Sequence, residues 1–430
     1  MIREYVKRPF FIPWKKGYLF YNEFDQSVQY IGATEKKILE KQLKPTTNVH
    51  GTSIATFMPI CLTIFPHNRC NLSCHYCYAN GGNPKRPLQI DPGVVGAVAA
   101  ILIPNCLKRK HPLIVGFHGG CEPLLDLELL KKCMDEAINV SQKAGVKTYF
   151  HVTTNGVVSE ETAREVAQLF DSITISCDGP ASVHDIFRKT LRGQPTLNIV
   201  ERTGQIFLKE MERCENLKVR TTITTYSVHQ MEEIVRYLGE TWHGLQHLHL
   251  EPLYNQGRGG FTLYPEQFVK GFIKARRLAL NYGINLIYSG SRPFERHTRF
   301  CPILQDNMTI TPDGYLTSCF CITERRDLQD DRFLYSSYQQ DGNELKIDYE
   351  KLLSIQQTLT KDIIHCQECF NQNHCSRGCP EVCPLEEDYP LKAKGHDCRI
   401  QKQIAFVLLA EKAGISFSDE DLEQMHELFP

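Results

Sequence analysis

Three cysteines, Cys70, Cys74 and Cys77, stand at CxxxCxxC spacing directly after an apolar run. Thiols this close in sequence converge on one metal centre. A [4Fe–4S] cluster takes four ligands, so three local cysteines leave one iron open to a small molecule. The rival is a zinc site, which usually starts from CxxC pairs completed by a second pair or by histidines. The spacing therefore favours an iron–sulfur cluster with one exchangeable position.

A second group of cysteines lies in the C-terminal third of the chain. It begins with Cys301 and a GxxxxC element that ends at Cys319, and it continues with the pattern C-x2-C-x5-C-x3-C and a last cysteine. A zinc ribbon uses four cysteines and leaves the others without a role, so it does not account for this pattern. The later members are Cys366, Cys369, Cys375, Cys379 and Cys398.

The composition is that of a soluble globular protein. The chain has 430 residues, of which 42% are hydrophobic and 23% charged, and its net charge is −1. Without an excess of basic residues it lacks the charge that neutralises nucleic-acid phosphates. No apolar run approaches the length of a membrane span, and the N-terminus has no signal-peptide pattern. We expect a cytoplasmic protein with no nucleic-acid or membrane partner, in which 18 cysteines indicate metal binding rather than disulfides.

The elements that position these cysteines follow from the hydrophobic pattern. Short β-like runs alternate with amphipathic helical segments from residue 58 to about residue 290. This alternation predicts βα units around a parallel sheet, with the chemistry at the C-terminal ends of the strands. The predicted strands are 60–65, 113–117, 147–153, 172–176, 218–224 and 247–251.

Four parts of the chain are predicted. A strand pair and a helix come first, then the barrel of βα units, then a Pro- and Cys-rich domain held by metal, and finally two helices. The predicted bounds of these parts are 1–57, 58–296, 297–400 and 401–430.

The CxxxCxxC motif and its setting resemble the signature of the radical S-adenosylmethionine (SAM) enzymes. In that family the open iron binds the amino and carboxylate groups of SAM, and an electron from the cluster cleaves SAM to a 5′-deoxyadenosyl radical. The resemblance implies an α/β fold with a partial (β/α)6 barrel in which Cys70, Cys74 and Cys77 hold the SAM-binding cluster. It also implies an electron donor such as flavodoxin or ferredoxin.

The later cysteines resemble, in every interval, the SPASM extension of this family, which holds two auxiliary [4Fe–4S] clusters. The resemblance therefore implies three clusters in all. Carried over by position, Cys301, Cys319 and Cys379 are ligands of the first auxiliary cluster. The ligands of the second are Cys366, Cys369, Cys375 and Cys398.

The first auxiliary cluster has only three ligands in this pattern. Cys321 is the favoured fourth ligand, because side chains two residues apart in an extended segment share a face with each other. Cys383, which follows Cys379 by four residues, is the alternative from a helical segment. An open iron that binds a substrate thiolate is the third possibility.

The motif His118-Gly119-Gly120-Cys121-Glu122-Pro123 resembles the glycine-rich GGE-type motif of the family. Glycine lets the main chain approach a ligand without a Cβ in the way. The resemblance places Gly119, Gly120 and Glu122 at the methionine end of SAM. It also places the backbone of Tyr76 near the adenine.

Further contacts with SAM are expected where later strands end. Asn155 follows the third predicted strand, and Ser176 and Asp178 end the fourth. In the related sulfatase-maturating enzymes, the residues that match Ser176 and Arg188 hold the SAM carboxylate, for which a guanidinium is a bidentate partner. Glu251, at the end of the sixth strand, is the candidate catalytic residue.

The resemblance implies an oxidoreductase that modifies or cross-links a ribosomally made precursor peptide through a thioether or carbon–carbon bond. Residues 1–57 resemble the start of a peptide-recognition domain, with a cap on the barrel as the alternative. A second possibility is an anaerobic sulfatase-type maturase that oxidises Cys or Ser to formylglycine. Those enzymes carry an acidic residue directly after the GxxxxC cysteine, where this chain has Phe320. The non-enzyme alternative, an electron-transfer or redox-sensing iron–sulfur protein, leaves Glu122, Ser176 and Arg188 without a role.

Overall fold

The structure is a computed structural model. It describes residues 9–23, 25–43, 57–79, 84, 86–253, 264–295, 297, 306–320, 322, 333–339, 344–359, 366, 368–376 and 398–429. The predicted ligands Cys301, Cys321 and Cys379, and the alternative Cys383, lie outside the described residues.

The N-terminal segment forms an antiparallel sheet of three strands followed by a helix, where the sequence predicted a strand pair and a helix. These elements are β1 (Pro9–Trp14), β2 (Gly17–Asn22), β3 (Ser27–Ile31) and α1 (Ala33–Gln42). In β3 only Ile31 is buried, so the strand carries little of the apolar alternation that reveals a strand in a sequence.

Six parallel strands form the centre of the chain, each within one residue of its predicted bounds. They are β4 (Cys61–Ile64), β5 (Leu113–Phe117), β6 (Thr148–Thr154), β7 (Ser172–Ser176), β8 (Leu217–Ile223) and β9 (His247–Pro252). Neighbouring strands in the chain are also neighbours in the sheet, and all their pairings are parallel. The predicted α/β fold class with a βα-unit barrel is confirmed.

Helices connect the parallel strands, as parallel pairing requires. Side-chain caps fix several of the turns: Asp91 caps α2, Asp126 caps α3 and Ser159 caps α4, each accepting a hydrogen bond from a main-chain N–H of the first turn. The connecting helices are α2 (Pro92–Arg109), α3 (Leu127–Lys143), α4 (Glu160–Leu169), α5 (Ala181–Phe187), α6 (Leu197–Glu210), α7 (Met231–Thr241) and α8 (Pro265–Asn281).

The sheet continues on both sides of the six strands. Its full order is β10-β9-β8-β7-β6-β5-β4-β11-β12, where the added strands are β10 (Asn285–Ile287), β11 (Asn307–Ile310) and β12 (Leu316–Thr317). β11 pairs with β4 in parallel. The predicted boundary after residue 296 therefore runs through a continuous sheet, because the run that forms β11 belongs to the barrel side.

The remaining described elements are β13 (Ser336–Gln339), β14 (Glu344–Ile347), α9 (Tyr349–Leu359), α10 (Cys398–Lys412) and α11 (Asp419–Leu428). The C-terminal segment packs on the N-terminal sheet: the Trp14 ring centre lies 5.4 Å from that of Phe406, on α10, and 5.2 Å from that of Phe417, just before α11. Tyr21 and His374 are joined by a 2.7 Å hydrogen bond. The N-terminal sheet is thus attached to the later part of the chain. Across the described ranges, no helix combines the length and apolar character that a membrane crossing requires.

Candidate active site

The cysteine loop follows β4 and is fixed by its main chain. The N–H of Ser73 donates to the carbonyl of Lys189 at 2.8 Å, and the N–H of His75 donates to that of Phe187 at 3.1 Å. Leu72 forms a β-bridge with Thr190. The loop that carries the three cysteines is therefore held against the segment that follows α5.

The thiols of this loop have the properties of cluster ligands. Cys70 Sγ accepts hydrogen bonds from the Leu72 N–H at 3.4 Å and from Asn155 Nδ2 at 3.7 Å. Burial is the largest cause that raises the pKa of Cys70 to about 12 and that of Cys74 to about 11, and neighbouring thiols contribute to both rises. A thiolate in such surroundings needs a compensating cation, which bound iron supplies, so the donor set fits an iron–sulfur cluster.

A site for a single metal ion differs from a cluster site in the spacing of its ligands. Among the residues that the structure describes, no three His, Cys, Asp or Glu side chains are arranged to hold one metal ion together. A cubane cluster is larger than one ion and spaces its cysteines more widely. The fit of the cluster therefore rests on the position of the loop, the half-buried thiols and the hydrogen bonds to sulfur.

Beside this loop, Asp178 joins two predicted SAM contacts into one buried group. Its Oδ2 accepts a hydrogen bond from Tyr76 Oη and another from Arg188 Nε at 3.0 Å, while its Oδ1 accepts from the Thr222 N–H at 3.0 Å. The Arg188 guanidinium carbon lies 5.5 Å from the centre of the Tyr76 ring. Burial raises the pKa of Tyr76 well above its usual range, so the phenol keeps its proton and donates. Asp178 thus orients Arg188 through Nε alone.

His184, on α5, is hydrogen-bonded to the main chain of Asp178. Its Nδ1 accepts from the Asp178 N–H at 3.2 Å, so the ring proton is on Nε2, which lies 3.1 Å from Thr196 Oγ1. Thr196 in turn donates to the Arg188 carbonyl at 2.7 Å. Burial lowers the pKa of His184 to about 4, which keeps the ring neutral. The amino-acid sequence does not reveal the roles of His184 and Thr196, because their relation to Asp178 depends on the turn between them.

The glycine-rich loop after β5 requires its first glycine. Gly119 has φ +121°, and a Cβ there would overlap the Phe65 ring. Glu122 is 1% exposed and accepts hydrogen bonds from Thr154 Oγ1 at 2.7 Å, the Asn155 N–H at 2.6 Å and the Leu124 N–H at 3.2 Å. In the structure this carboxylate therefore positions the end of β6. A direct contact between Glu122 and SAM stays a prediction, as do those of Gly119 and Gly120.

Asn155 links the end of β6 to the cysteine loop. Besides its hydrogen bond to the Cys70 sulfur, its Nδ2 donates to Asn71 Oδ1 at 2.8 Å, and Asn71 Nδ2 donates to the Val157 carbonyl at 2.8 Å. Asn155 thus contacts the cysteine loop, and its predicted contact with SAM stays a prediction. Asn71 was missed, although its position directly after Cys70 is a signal that points to it.

Ser176 and Glu251 end two further strands of the barrel. Ser176 is half-buried at the last position of β7. Glu251 is 2% exposed, and its Oε1 accepts from the Ser289 N–H at 2.9 Å and lies 4.0 Å from His249 Nδ1. The catalytic role of Glu251 stays a prediction.

The described cysteines of the later group partly converge. Burial is the largest cause that raises the pKa of Cys369 to about 11, and Cys366 and Cys398 contribute to the rise. Two of the other predicted ligands of the second auxiliary cluster are therefore within electrostatic range of Cys369. The fourth, Cys375, forms a β-bridge with Ser291. Cys319, at the end of the GxxxxC element, is buried.

Comparison with known proteins agrees with this arrangement. Residues 64–238 match the model of the radical SAM superfamily. A cysteine-type anaerobic sulfatase-maturating enzyme of Clostridium perfringens (strain ATCC 13124) is 27% identical over 222 residues, which are 50% of this chain and 59% of that enzyme. GTP 3′,8-cyclase 2 of Mycobacterium tuberculosis (strain H37Rv) is 25% identical over 321 residues, 68% of this chain and 82% of that protein.

Solved structures share the fold. Native anSMEcpe with bound AdoMet superposes with a TM-score of 0.60 at 20% identity, over 82% of this chain and 99% of that one. The same protein with AdoMet and the Cp18Cys peptide gives 0.61 at 20% identity, over 83% and 99%. This chain thus spans about three fifths of the curated maturating enzyme by sequence and nearly all of the solved chains by fold. Since the match over residues 64–238 includes Cys70, Cys74 and Cys77, the chain carries a radical SAM domain.

Proposed function

We propose that this protein is a radical SAM enzyme that modifies a ribosomally made peptide, forming a thioether or carbon–carbon cross-link. The observation that carries the proposal is the joining of a three-cysteine loop to a buried guanidinium. The loop is held against the segment 187–190, and Arg188 of that segment is oriented by Asp178. One rigid unit thus presents thiols for a cluster and a cation for an amino-acid carboxylate.

The chain's own residues have distinct tasks in this proposal. Cys70, Cys74 and Cys77 hold the [4Fe–4S] cluster, and Arg188 and Ser176 bind the carboxylate of SAM. When bound, the reduced cluster and SAM supply a radical that abstracts hydrogen from an unactivated carbon. The protein positions that carbon and keeps water and other hydrogen donors away from it.

Two auxiliary [4Fe–4S] clusters complete the proposed cofactor set. The proximity of Cys366, Cys369 and Cys398 supports the second of them. For the first, the proposed ligands are Cys301, Cys319 and Cys379, with Cys321 as the fourth. Flavodoxin or ferredoxin is the proposed electron donor.

The maturation of sulfatases is a second candidate function, because the relative from Clostridium perfringens bears that name. The residue after Cys319 argues against it. Phe320 stacks on the His118 ring with centres 5.1 Å apart and lies 6.1 Å from the Phe65 ring. A phenyl ring cannot take up a proton, so the base expected at this position in a sulfatase maturase is missing here.

The experiment that separates the two functions is mass spectrometry of the product. The protein is co-expressed anaerobically with each short, Cys- or aromatic-rich open reading frame found beside its gene, and in parallel it is assayed with a sulfatase-derived Cys peptide. We expect a gene-neighbour peptide to lose two hydrogens and the Cys peptide to remain unchanged. Formation of formylglycine in the Cys peptide would contradict the cross-linking function and support sulfatase maturation.

A further inference from the structure

Strand β8 carries two cations on one face. The residues Leu217, Val219, Thr221 and Ile223 are fully buried on its other face. Between them, Lys218 is half-buried and Arg220 is exposed. Leu217, Val219 and Ile223 belong to the hydrophobic core that the connecting helices share, so the opposite, open face of β8 is the inner face of the barrel.

The sheet register places Arg220 next to the proposed SAM site. Arg220 pairs with Ser176 on one side and with His249 on the other. Paired residues of parallel strands point to the same face of the sheet. One row nearer the strand ends, Thr222 pairs with Glu251 and donates its N–H to Asp178. Arg220 therefore lies one row deeper in the barrel than the group that orients Arg188.

Three neutral histidines surround these cations. Burial lowers the pKa of His118 to about 3, of His151 to about 4 and of His249 to about 3. After burial, the charge of Arg220 is the second cause of the low pKa of His118 and His249. The charge of Lys218 is the second cause of the low pKa of His151. Neutral imidazoles add no charge, so the positive charge of this face comes from Lys218 and Arg220.

Neither cation has an acidic partner in the described part of the chain. Glu251, the carboxylate on the neighbouring strand, accepts from the Ser289 N–H. Arg188, by contrast, is paired with Asp178. An accessible guanidinium inside a concave, partly apolar site attracts an anion, and its fork matches a carboxylate.

We propose that Arg220, assisted by Lys218, binds a carboxylate of the peptide substrate inside the barrel. This inference rests on the proposed function and narrows it: the modified residue lies beside an acidic group, either an Asp or Glu side chain or the C-terminus of the peptide. The carboxylate holds the target carbon near Ser176 and thus near SAM.

The test is peptide selection on the SAM-loaded, anaerobic holoenzyme. Random peptides are displayed on phage, with their C-termini joined to the coat protein, and selected on the wild type. Enriched sequences are synthesised as C-terminal amides and as free acids, each also with Asn or Gln in place of Asp or Glu. Affinities are then measured for the wild type, for Arg220→Gln and for Arg236→Gln, a matched control on the exposed face of α7.

We expect enrichment of an acidic residue at one position and a loss of affinity of about 10- to 100-fold in Arg220→Gln, the effect of one charge-assisted pair. Arg236→Gln should bind as the wild type does. Loss of binding on Asp→Asn or Glu→Gln replacement identifies a side-chain carboxylate, and tighter binding of the free acid identifies the C-terminus.

Two results would overturn the proposal: peptides that show no acidic preference and bind no more tightly as free acids than as amides, or carboxylate peptides that bind Arg220→Gln as well as they bind the wild type. So would a tenfold loss of SAM affinity in Arg220→Gln, which would place Arg220 in the SAM site instead. Peptide binding needs no radical chemistry, so a failure of SAM cleavage would count against the proposed function and leave this result standing.

Discussion

At the scale of residues, the buried group around Asp178 explains how a flexible arginine becomes a fixed cation. Asp178 has no exposed surface, and it holds Arg188 by Nε while Tyr76 lies against the guanidinium. A guanidinium has further N–H donors beyond Nε, and these suit the carboxylate of SAM. All three residues are predicted SAM contacts. Their relation to each other follows from the folded loop and has no local signal in the chain.

Replacing Arg188 with Ala should weaken SAM binding by about 1.5–3 kcal/mol, the value of a charge-assisted hydrogen bond. Equilibrium binding of SAM to the reconstituted, unreduced enzyme measures this change. Iron content should not change, and Arg236→Ala, on the surface of α7, should bind SAM normally. Wild-type affinity of the Arg188→Ala enzyme for SAM would contradict the role of Arg188 in the SAM site.

His184 should make the fold sensitive to acid. Its pKa is lowered from 6.5 to about 4 in the folded state, so the unfolded chain binds the proton more readily between these values. The stability that the neutral ring contributes is therefore present above pH 6.5 and is lost as the pH falls towards 4. For one such group the loss between pH 6.5 and 5 is on the order of 1–2 kcal/mol.

Urea unfolding at pH 7 and pH 5 measures this effect in the wild type and in His184→Gln. The variant should be less stable at pH 7, because it loses the hydrogen bonds with Asp178 and Thr196, and should lose less stability on acidification. An equal loss in both proteins would show that His184 does not titrate as its burial implies.

At the scale of elements, the sequence predicts the six central strands, β4 to β9, and their order. It does not predict β10, β11 and β12, which extend the sheet. The apolar runs of β4 to β9 predict buried parallel strands, and the structure has them within one residue of those bounds. β3 exposes most of its residues, and β12 has two residues, so neither gives a periodic signal. Ser418, a residue type that favours the N-cap, begins α11, and its side chain accepts from the Asp421 N–H.

The loop after β5 depends on Gly119. A Gly119→Ala variant should lose about 1–3 kcal/mol of stability, because its φ of +121° disfavours a side chain and Phe65 occupies the space. Gly32→Ala is the matched control, since the N-cap of α1 has φ −82° and no atom closer than 3.6 Å to a new Cβ. Urea midpoints measure both changes. Equal midpoints for the two variants would contradict the close approach of this loop to Phe65.

At the scale of the whole molecule, contacts distant in sequence join the parts of the chain. Asn373 Nδ2 donates to Glu23 Oε1 at 3.0 Å, and Trp14 packs against Phe406 of α10 and Phe417 of the turn before α11. No sequence pattern reports such pairs, since each residue alone is an ordinary polar or aromatic side chain. The cysteine spacings, by contrast, are local, so the amino-acid sequence alone is enough to predict the radical SAM domain.

Trp14→Ala should therefore destabilise the whole chain and not only its N-terminal sheet. Removing a buried Trp costs about 3–5 kcal/mol, and here the ring also supports Phe406 and Phe417. Urea unfolding followed by far-UV circular dichroism measures the loss, with the exposed Leu280→Ala as control. If Trp14→Ala leaves the urea midpoint unchanged and only makes the N-terminus more sensitive to protease, the N-terminal sheet is an independent cap.

The central claim is that Cys70, Cys74 and Cys77 hold a cluster that cleaves SAM. The most direct measurement is 5′-deoxyadenosine formation by the reduced, iron-reconstituted protein, with iron counted in the same samples. We predict that the wild type forms 5′-deoxyadenosine, whereas the variant with all three cysteines replaced by Ala forms none and lacks about four irons, the content of one cluster. The control Cys214→Ala should match the wild type in both respects. Wild-type rates of 5′-deoxyadenosine formation in the triple variant would contradict the account.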